Sequence, residues 1–305
     1  MGAVAVRVVP LLGIAVAITT WLRLPRMRIE PALLGLVCWT VGNYVFGALR
    51  WRAVSTRGQS WRWYVRVFAE GELLGMLTPA HSGAYLWRLR QLTRAGADRG
   101  SAVVEIAADR LSSAVMVVVF ALLAGFTVPH RLLPDAALGI GVLAAVAWVT
   151  RRWWQPRLAL AERPDPRAVG RAALLSGVYQ LGYLGFVLGL IAAVGHHVDP
   201  LATIGILGLS QAAGLIPGIH GAGPREGAMT GGLVALGMPL SAAVAAVALG
   251  AALTWLPAVA VGGSGLAARA WRQRAGTVPA GPVRGGPVPA GTILAGTVPV
   301  GTVTR

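Results

Sequence analysis

Residues 227–268 run without a single charged side chain. As one helix this stretch would be roughly 63 Å long, about twice the hydrocarbon thickness of a bilayer. It is too apolar for water and too long for one crossing, so it must break. Gly231-Gly232 and Gly237-Met238-Pro239 are the natural places. The stretch before it, IPGIHGAGPRE (216–226), is broken harder. Three glycines and two prolines fall within residues 217–224, and Arg225 stands beside Glu226.

The chain is 55% hydrophobic and only 12% charged, about half the charge of a soluble domain. Its charges cluster between apolar runs, which predicts an all-α, polytopic integral membrane protein. The short alternating segments of an outer-membrane barrel are missing. Six full spans are expected, at about 4–22 (an uncleaved first helix rather than a signal peptide), 31–49, 105–128, 132–150, 172–195 and 239–263. All 27 basic residues are arginine. They flank apolar spans instead of forming one patch, which argues for topology signals and against nucleic acid. With segments 50–66, 88–99, 151–171 and 269–274 on one side, that side holds 18 arginines and the other four. The expected arrangement is therefore an inner-membrane protein with both termini cytoplasmic. Residues 1–268 read as the transmembrane domain. Residues 269–305 read as a basic juxtamembrane segment and a disordered tail repeating Gly, Thr, Val and Pro.

The alternation closes only if two segments enter and leave on one side: about 65–88 from the cytoplasm and about 201–237 from outside. Each has an interrupted centre, GMLTPAHSGAYLW with Pro79 and Gly83, and GLIPGIHGAGPRE with Pro217 and Gly221. Both share P-x-x-x-G and a nearby histidine, His81 or His220. Broken helices in matching positions of two inverted halves point to a transporter's midplane site; the alternative is coincidence in a Gly- and Pro-rich chain. Unpaired backbone groups at membrane depth must line protein or a watery cavity, and a helix N-terminus there attracts anions.

Several side chains are candidates for that chemistry. Arg225 either holds a lipid phosphate, with Glu226 positioning it or taking a proton, or the two simply neutralise each other at a helix start. Gly221 and Gly223 free the backbone donors. Asp109 and Arg110, with Glu105, either mark the cytoplasmic end of a span or turn Arg110 inward. Arg88 and Arg90 either recruit anionic lipid near the headgroups or set topology. Glu70 and Glu72 raise the possibility of proton coupling. His81 and His220 are spacers or relays. Tyr179, Gln180 and Tyr183 are packing groups or cavity lining. The lone Cys38 excludes an intramolecular disulfide, and the five histidines lack metal-ligand spacing, so no metal or cofactor is expected. No nucleophile–base pair is visible, and no enzymatic activity is expected.

The segments WRAV (51–54), GELLGMLTPAHSGAYLWRLRQL (71–92) and VVEIAADRL (103–111) resemble the first half of the lysylphosphatidylglycerol synthase transmembrane region, a flippase-like family. That half reads R-W, L-x-P-x-x-x-G-E-x-x-R and E-R-x-x-D. GLIPGIHGAGPREGAMTGGLVALGMPLSAAVAAVAL (214–249) is similar to the second block, P-x-x-x-G-x-G-x-R-E followed by a distant Gly. Ala84 replaces the family's Glu, Trp87-Arg88 shifts its Arg by one place, Asp109 replaces a Glu, and Gly250-Ala251 stands where an Arg is often seen. The resemblance implies translocation of an anionic phospholipid or polyprenyl-phosphate-linked lipid, its headgroup bound at these positions. No aminoacyl-transfer domain lies in this sequence, so it also implies a substrate supplied by a partner lipid synthetase or glycosyltransferase. Two alternatives stay open: a non-transporting membrane scaffold for such an enzyme, and a proton-coupled exporter of small solutes.

Overall fold

The computed structural model describes residues 27–125, 165–214, 221 and 223–274. Helix accounts for 85% of the structure, with no strand among the described residues, so the chain is all-α. The expected spans at 4–22 and 132–150 lie outside the described residues, as do Pro217 and His220. The chain divides into Met1–Ala267 and Ala268–Arg305; all contacts given below lie within the first unit.

Among the described residues three helical runs are long and apolar enough to cross a membrane: Ile29–Val54, Pro166–Ala193 and Leu240–Arg272. The first consists of α1 (Ile29–Thr40), a π-helical turn (Val41–Phe46) and α2 (Gly47–Val54). It runs past the expected end at 49, which brings Arg50 and Trp51 into the helix. A broken pair follows, α3 (Trp61–Met76) and α4 (Ser82–Arg94), joined by a 3-10 turn at Pro79–His81. Then comes α5 (Arg99–Gly125). The second half repeats this order: α6 (Pro166–Ala193), then α7 (Pro200–Ala213) and α8 (Pro224–Ala235) across the second break. The last run is α9 (Leu240–Leu253), a short turn at Trp255–Pro257, a second π-helical turn (Ala258–Gly263) and α10 (Ser264–Arg274).

Local chemistry sets the helix starts. Ser60 Oγ accepts from the Trp63 N–H at 3.3 Å, Asp165 from Arg167 at 3.0 Å, and Asp199 from both Leu201 and Ala202, each meeting amides that a helix start leaves bare. Pro166, Pro200 and Pro224 occupy first-turn positions that need no N–H. Asp98 receives both the hydroxyl and the amide of Ser101 just before α5, and the hydroxyl above all holds its carboxyl below the usual range.

Packing joins the two halves crosswise. α1 lies along α6, α3 lies against the second π-helical turn, and α7 lies against α5. Lipid gives apolar helices little reason to associate, so close backbone approach between small residues takes over. At the α1–α6 crossing, a Cβ on Gly35 would sit 2.9 Å from the Gly185 carbonyl oxygen, and one on Gly189 would sit 2.4 Å from that of Pro31. Around the crossing Trp39, Phe186, Leu190, Ile206 and Leu233 form the main apolar core. A second core gathers Trp51, Tyr64, Phe68 and Leu92 where α2 meets the first broken pair.

Gly189→Ala should lose stability by about 1–3 kcal/mol, because backbone must move to admit the methyl. Gly231→Ala, whose Cβ meets nothing within 4 Å, should leave stability unchanged or raise it slightly. Thermal unfolding of the two variants in detergent checks this contrast.

Candidate functional site

Arg50 is 3% exposed on the last turns of α2. It grips Asp109 of α5 with two nitrogens, Nε to Oδ1 at 2.8 Å and Nη2 to Oδ2 at 3.3 Å, and its Nη1 donates to Ser176 Oγ of α6 at 3.4 Å. Arg88 of α4 donates Nη1 to the same Asp109 at 3.3 Å and Nη2 to Glu72 of α3 at 3.0 Å. The other Glu72 oxygen meets His81 Nε2 at 3.2 Å. One continuous ionic chain thus joins α2, α5, α4, α3 and the first break, with Arg88 1% and Asp109 0% exposed. Arg88 is therefore buried, unlike the exposed Arg90.

Two flanking clusters brace this chain. Glu105 accepts from Trp51 Nε1 at 2.8 Å and pairs with Arg57 at 3.4 Å, so Glu105 and Asp109 share a face but serve different partners. Glu70 accepts from Arg66 Nε at 2.9 Å and Trp87 Nε1 at 3.1 Å, and Arg66 also reaches the Gly265 carbonyl. The two acids of α3 are both buried and both matched by cations.

The turn residues hold the first break in shape. Pro79 opens the 3-10 turn, and the Gly83 N–H donates to Thr78 Oγ1 at 2.7 Å. A Cβ on Gly83 would lie 2.4 Å from the Leu74 carbonyl oxygen, so only glycine lets α4 fold back this closely. His81 has φ +57°, a left-handed conformation that non-glycine residues seldom adopt. Its imidazole fills the space above Gly75, where a Cβ would come within 2.5 Å of Nε2.

The second break is built differently. Glu226 accepts from the Gly223 N–H at 2.9 Å and the Gly221 N–H at 3.3 Å, and Gly221 has φ +89°. This is the reach-back half of a capping box, with glycine offering no side chain in return. Glu226 thus serves the backbone, and among the described residues no ion pair joins it to Arg225. Arg225 lays its stem near Gly214 at the end of α7 and its guanidinium over the Tyr183 ring, 4.9 Å from the centroid. The start of α8 also opens on a crevice of about 570 Å³ lined by Gly223, Glu226, Thr230, Leu240 and Val244, within the size range of ligand clefts.

Tyr179 connects the two breaks. Arg50 lies over its ring at 5.8 Å, and both Arg110 and Arg225 are within its electrostatic reach. Arg110 of α5 is half-buried and lies over Tyr85, 4.8 Å from that centroid, with its Nε 3.9 Å from Asp109 Oδ2, and Arg88 lies over Phe68 at 4.2 Å and Trp51 at 5.4 Å. Gln180 is a packing group: its carbonyl accepts from Gln211 of α7 at 2.6 Å. Four guanidinium groups (Arg50, Arg88, Arg110 and Arg225) therefore share this region with two carboxylates, Glu72 and Asp109. Arg88 Nε, Arg110 Nε, Asn43 Nδ2 and the Tyr44 hydroxyl are buried without a hydrogen-bond partner among the described residues. Aromatic faces accommodate guanidinium groups, and a surplus of buried donors and positive charge suits an acceptor-rich anion. No group of His, Cys, Asp or Glu arranged to hold a metal occurs among the described residues.

Sequence reasoning missed Arg50, Asn43 and Tyr44. The signal for Arg50 was an arginine directly after an apolar run and before a tryptophan; it reads as the start of a loop unless the helix is carried one turn further.

Asp109→Asn should destabilise the fold by about 3–5 kcal/mol, since it leaves Arg50 and Arg88 buried against a neutral amide. The double change Arg50→Met with Asp109→Leu should cost clearly less than the sum of the single changes in a double-mutant cycle of detergent unfolding.

No curated protein sequence and no solved structure matches the chain at a significant level. The profile of the lysylphosphatidylglycerol synthase TM region matches residues 3–262, most of the chain and both broken pairs. With its membrane-length apolar helices, the chain is a membrane protein and belongs to the lysylphosphatidylglycerol synthase TM region family.

Proposed function

We propose that the protein translocates an anionic lipid between membrane leaflets, its phosphate held by guanidinium groups at the two helix breaks. The family is tied by name to a lipid synthase, which supports a lipid client. The observation that carries the reading is the excess of four guanidinium groups, Arg50 and Arg88 buried and Arg110 and Arg225 half-buried, over the carboxylates Glu72 and Asp109, with Arg225 free of any ion pair among the described residues. In this reading the broken pairs are re-entrant hairpins that enter from opposite faces. The termini face the cytoplasm, and a partner enzyme makes the lipid. Holding the site cationic before the lipid arrives would be costly in hydrocarbon alone. The aromatic faces and the two carboxylates lower that cost without cancelling the charge.

The Glu72–His81 contact favours one second reading, proton-coupled movement of a small solute, because it sets a histidine against a buried acid at the first break.

In proteoliposomes, Arg225→Gln should slow the appearance of a labelled anionic phospholipid in the far leaflet about tenfold or more, the loss expected for a charge-assisted hydrogen bond. Unchanged rates for Arg225→Gln and Arg110→Gln together would overturn the reading. Rates that follow an imposed pH gradient with a soluble solute, and not with lipid, would favour the second.

A further inference from the structure

Glu105 is a buried acid on α5, 7% exposed and one turn before Asp109. It makes no ion pair with Arg50 or Arg88 among the described residues. Its Oε1 instead accepts from Trp51 Nε1 at 2.8 Å. Arg57 Nε stands 3.4 Å from Oε2 and forms no hydrogen bond among the described residues. A buried carboxylate thus spends its best contact on a neutral donor. What position 105 supplies is an acceptor more than a charge.

The donor it serves matters to the site. Trp51 has no exposed surface, and a buried indole N–H needs a partner. The ring packs against Trp63 and Tyr64, with centroids 5.6 and 5.0 Å away. Those neighbours fix the plane of the indole, and the bond to Glu105 fixes which way round it lies. The guanidinium of Arg88 lies over this same ring at 5.4 Å, with Phe68 backing it at 4.2 Å. Asp109 and Glu72 hold the two Nη groups of Arg88, so Nε is its nitrogen without a partner among the described residues. Turning the indole over would change the surface on which that guanidinium rests.

We propose that Glu105 is a positioning residue for the anion site: it holds the Trp51 indole in one orientation, and the indole holds Arg88 with its Nε ready for the lipid phosphate. This rests on the lipid-phosphate reading and deepens it. Binding groups need supporting residues that lock their rotamers. Here the support runs through a neutral hydrogen bond and an aromatic face, so a neutral acceptor at position 105 serves as well as an acid.

The full chain in detergent is titrated with phosphatidic acid, and thermal unfolding is measured in parallel. Glu105→Gln keeps a carbonyl oxygen for the indole and should bind within about twofold of the wild type. Glu105→Leu removes the acceptor and should bind about three- to tenfold more weakly. Trp51→Phe keeps an aromatic ring without the N–H and should lose a similar factor. Adding Glu105→Leu to Trp51→Phe should cost no further affinity, because the two residues act in series. Arg225→Gln, which lies outside this network, tests the lipid-phosphate reading in the same titration and should also weaken binding.

Glu105→Gln binding as weakly as Glu105→Leu overturns the positioning role. So does a further loss when Glu105→Leu is added to Trp51→Phe, or affinity that simply tracks the midpoint temperature across the variants, since that is the mark of packing alone. If Arg225→Gln weakens binding and Glu105→Leu does not, the positioning role falls and the lipid-phosphate reading stands. Binding that neither substitution changes, or no binding by the wild type, overturns both.

Discussion

Asp109 is the joint on which the first half of this protein turns. It has no exposed surface, and it holds Arg50 from one helix and Arg88 from another. A carboxylate in that position is stable only because both cations are there, and the cations are stable there only because of it. Glu72 extends the chain to the first break through Arg88 and His81. The strained backbone of His81 and the tight return at Gly83 persist because these charges and the surrounding aromatic rings fix them. An apolar core would give a firmer fold at lower desolvation cost, so the ionic chain points to a use for charge at depth.

That use follows from what is left over. The two carboxylates are engaged, Asp109 also standing 3.9 Å from Arg110 Nε, while Arg110 and Arg225 rest on tyrosine faces and the Nε groups of Arg88 and Arg110 lack a hydrogen-bond partner among the described residues. Glu226, which stands next to Arg225 in the chain, is drawn away to close the second break on the amides of Gly221 and Gly223. Among the described residues no ion pair joins the arginine to this acid, and its guanidinium lies over the Tyr183 ring instead. The two breaks differ: the first carries a braced ionic frame, and the helix after the second opens on a crevice lined by Glu226 and not by Arg225.

Much of this architecture was legible in the chain, for identifiable reasons. Charge-free length marked the helices at Ile29–Val54, Pro166–Ala193 and Leu240–Arg272, because bilayer thickness is a strong constraint. Pro79, Gly83, Gly221 and Pro224 marked the breaks, because backbone geometry permits little else there. What stayed hidden was pairing over long separations. Nothing local says that Glu72 meets Arg88 rather than serving proton coupling alone, or that Arg50 belongs inside a helix with Asp109 as its partner, 59 residues away. Adjacency misled as well: Arg225 and Glu226 read as a pair, whereas the carboxylate at that helix position is claimed by amides three and five residues back. The π-helical turns were also invisible, since VGNYVF and AVAVGG carry no signature that separates them from ordinary helix.

The central claim is that the guanidinium groups around Tyr179 receive a lipid phosphate. An experimental structure of the full chain in nanodiscs rich in anionic phospholipid tests it most directly. The account predicts phosphate density within hydrogen-bond distance of Arg225 and of Arg110 or Arg88, with Asp109 still holding Arg50. Phosphate density confined to surface arginines such as Arg90, with the Arg110 and Arg225 side chains still stacked on their tyrosines and no density between them, would contradict it.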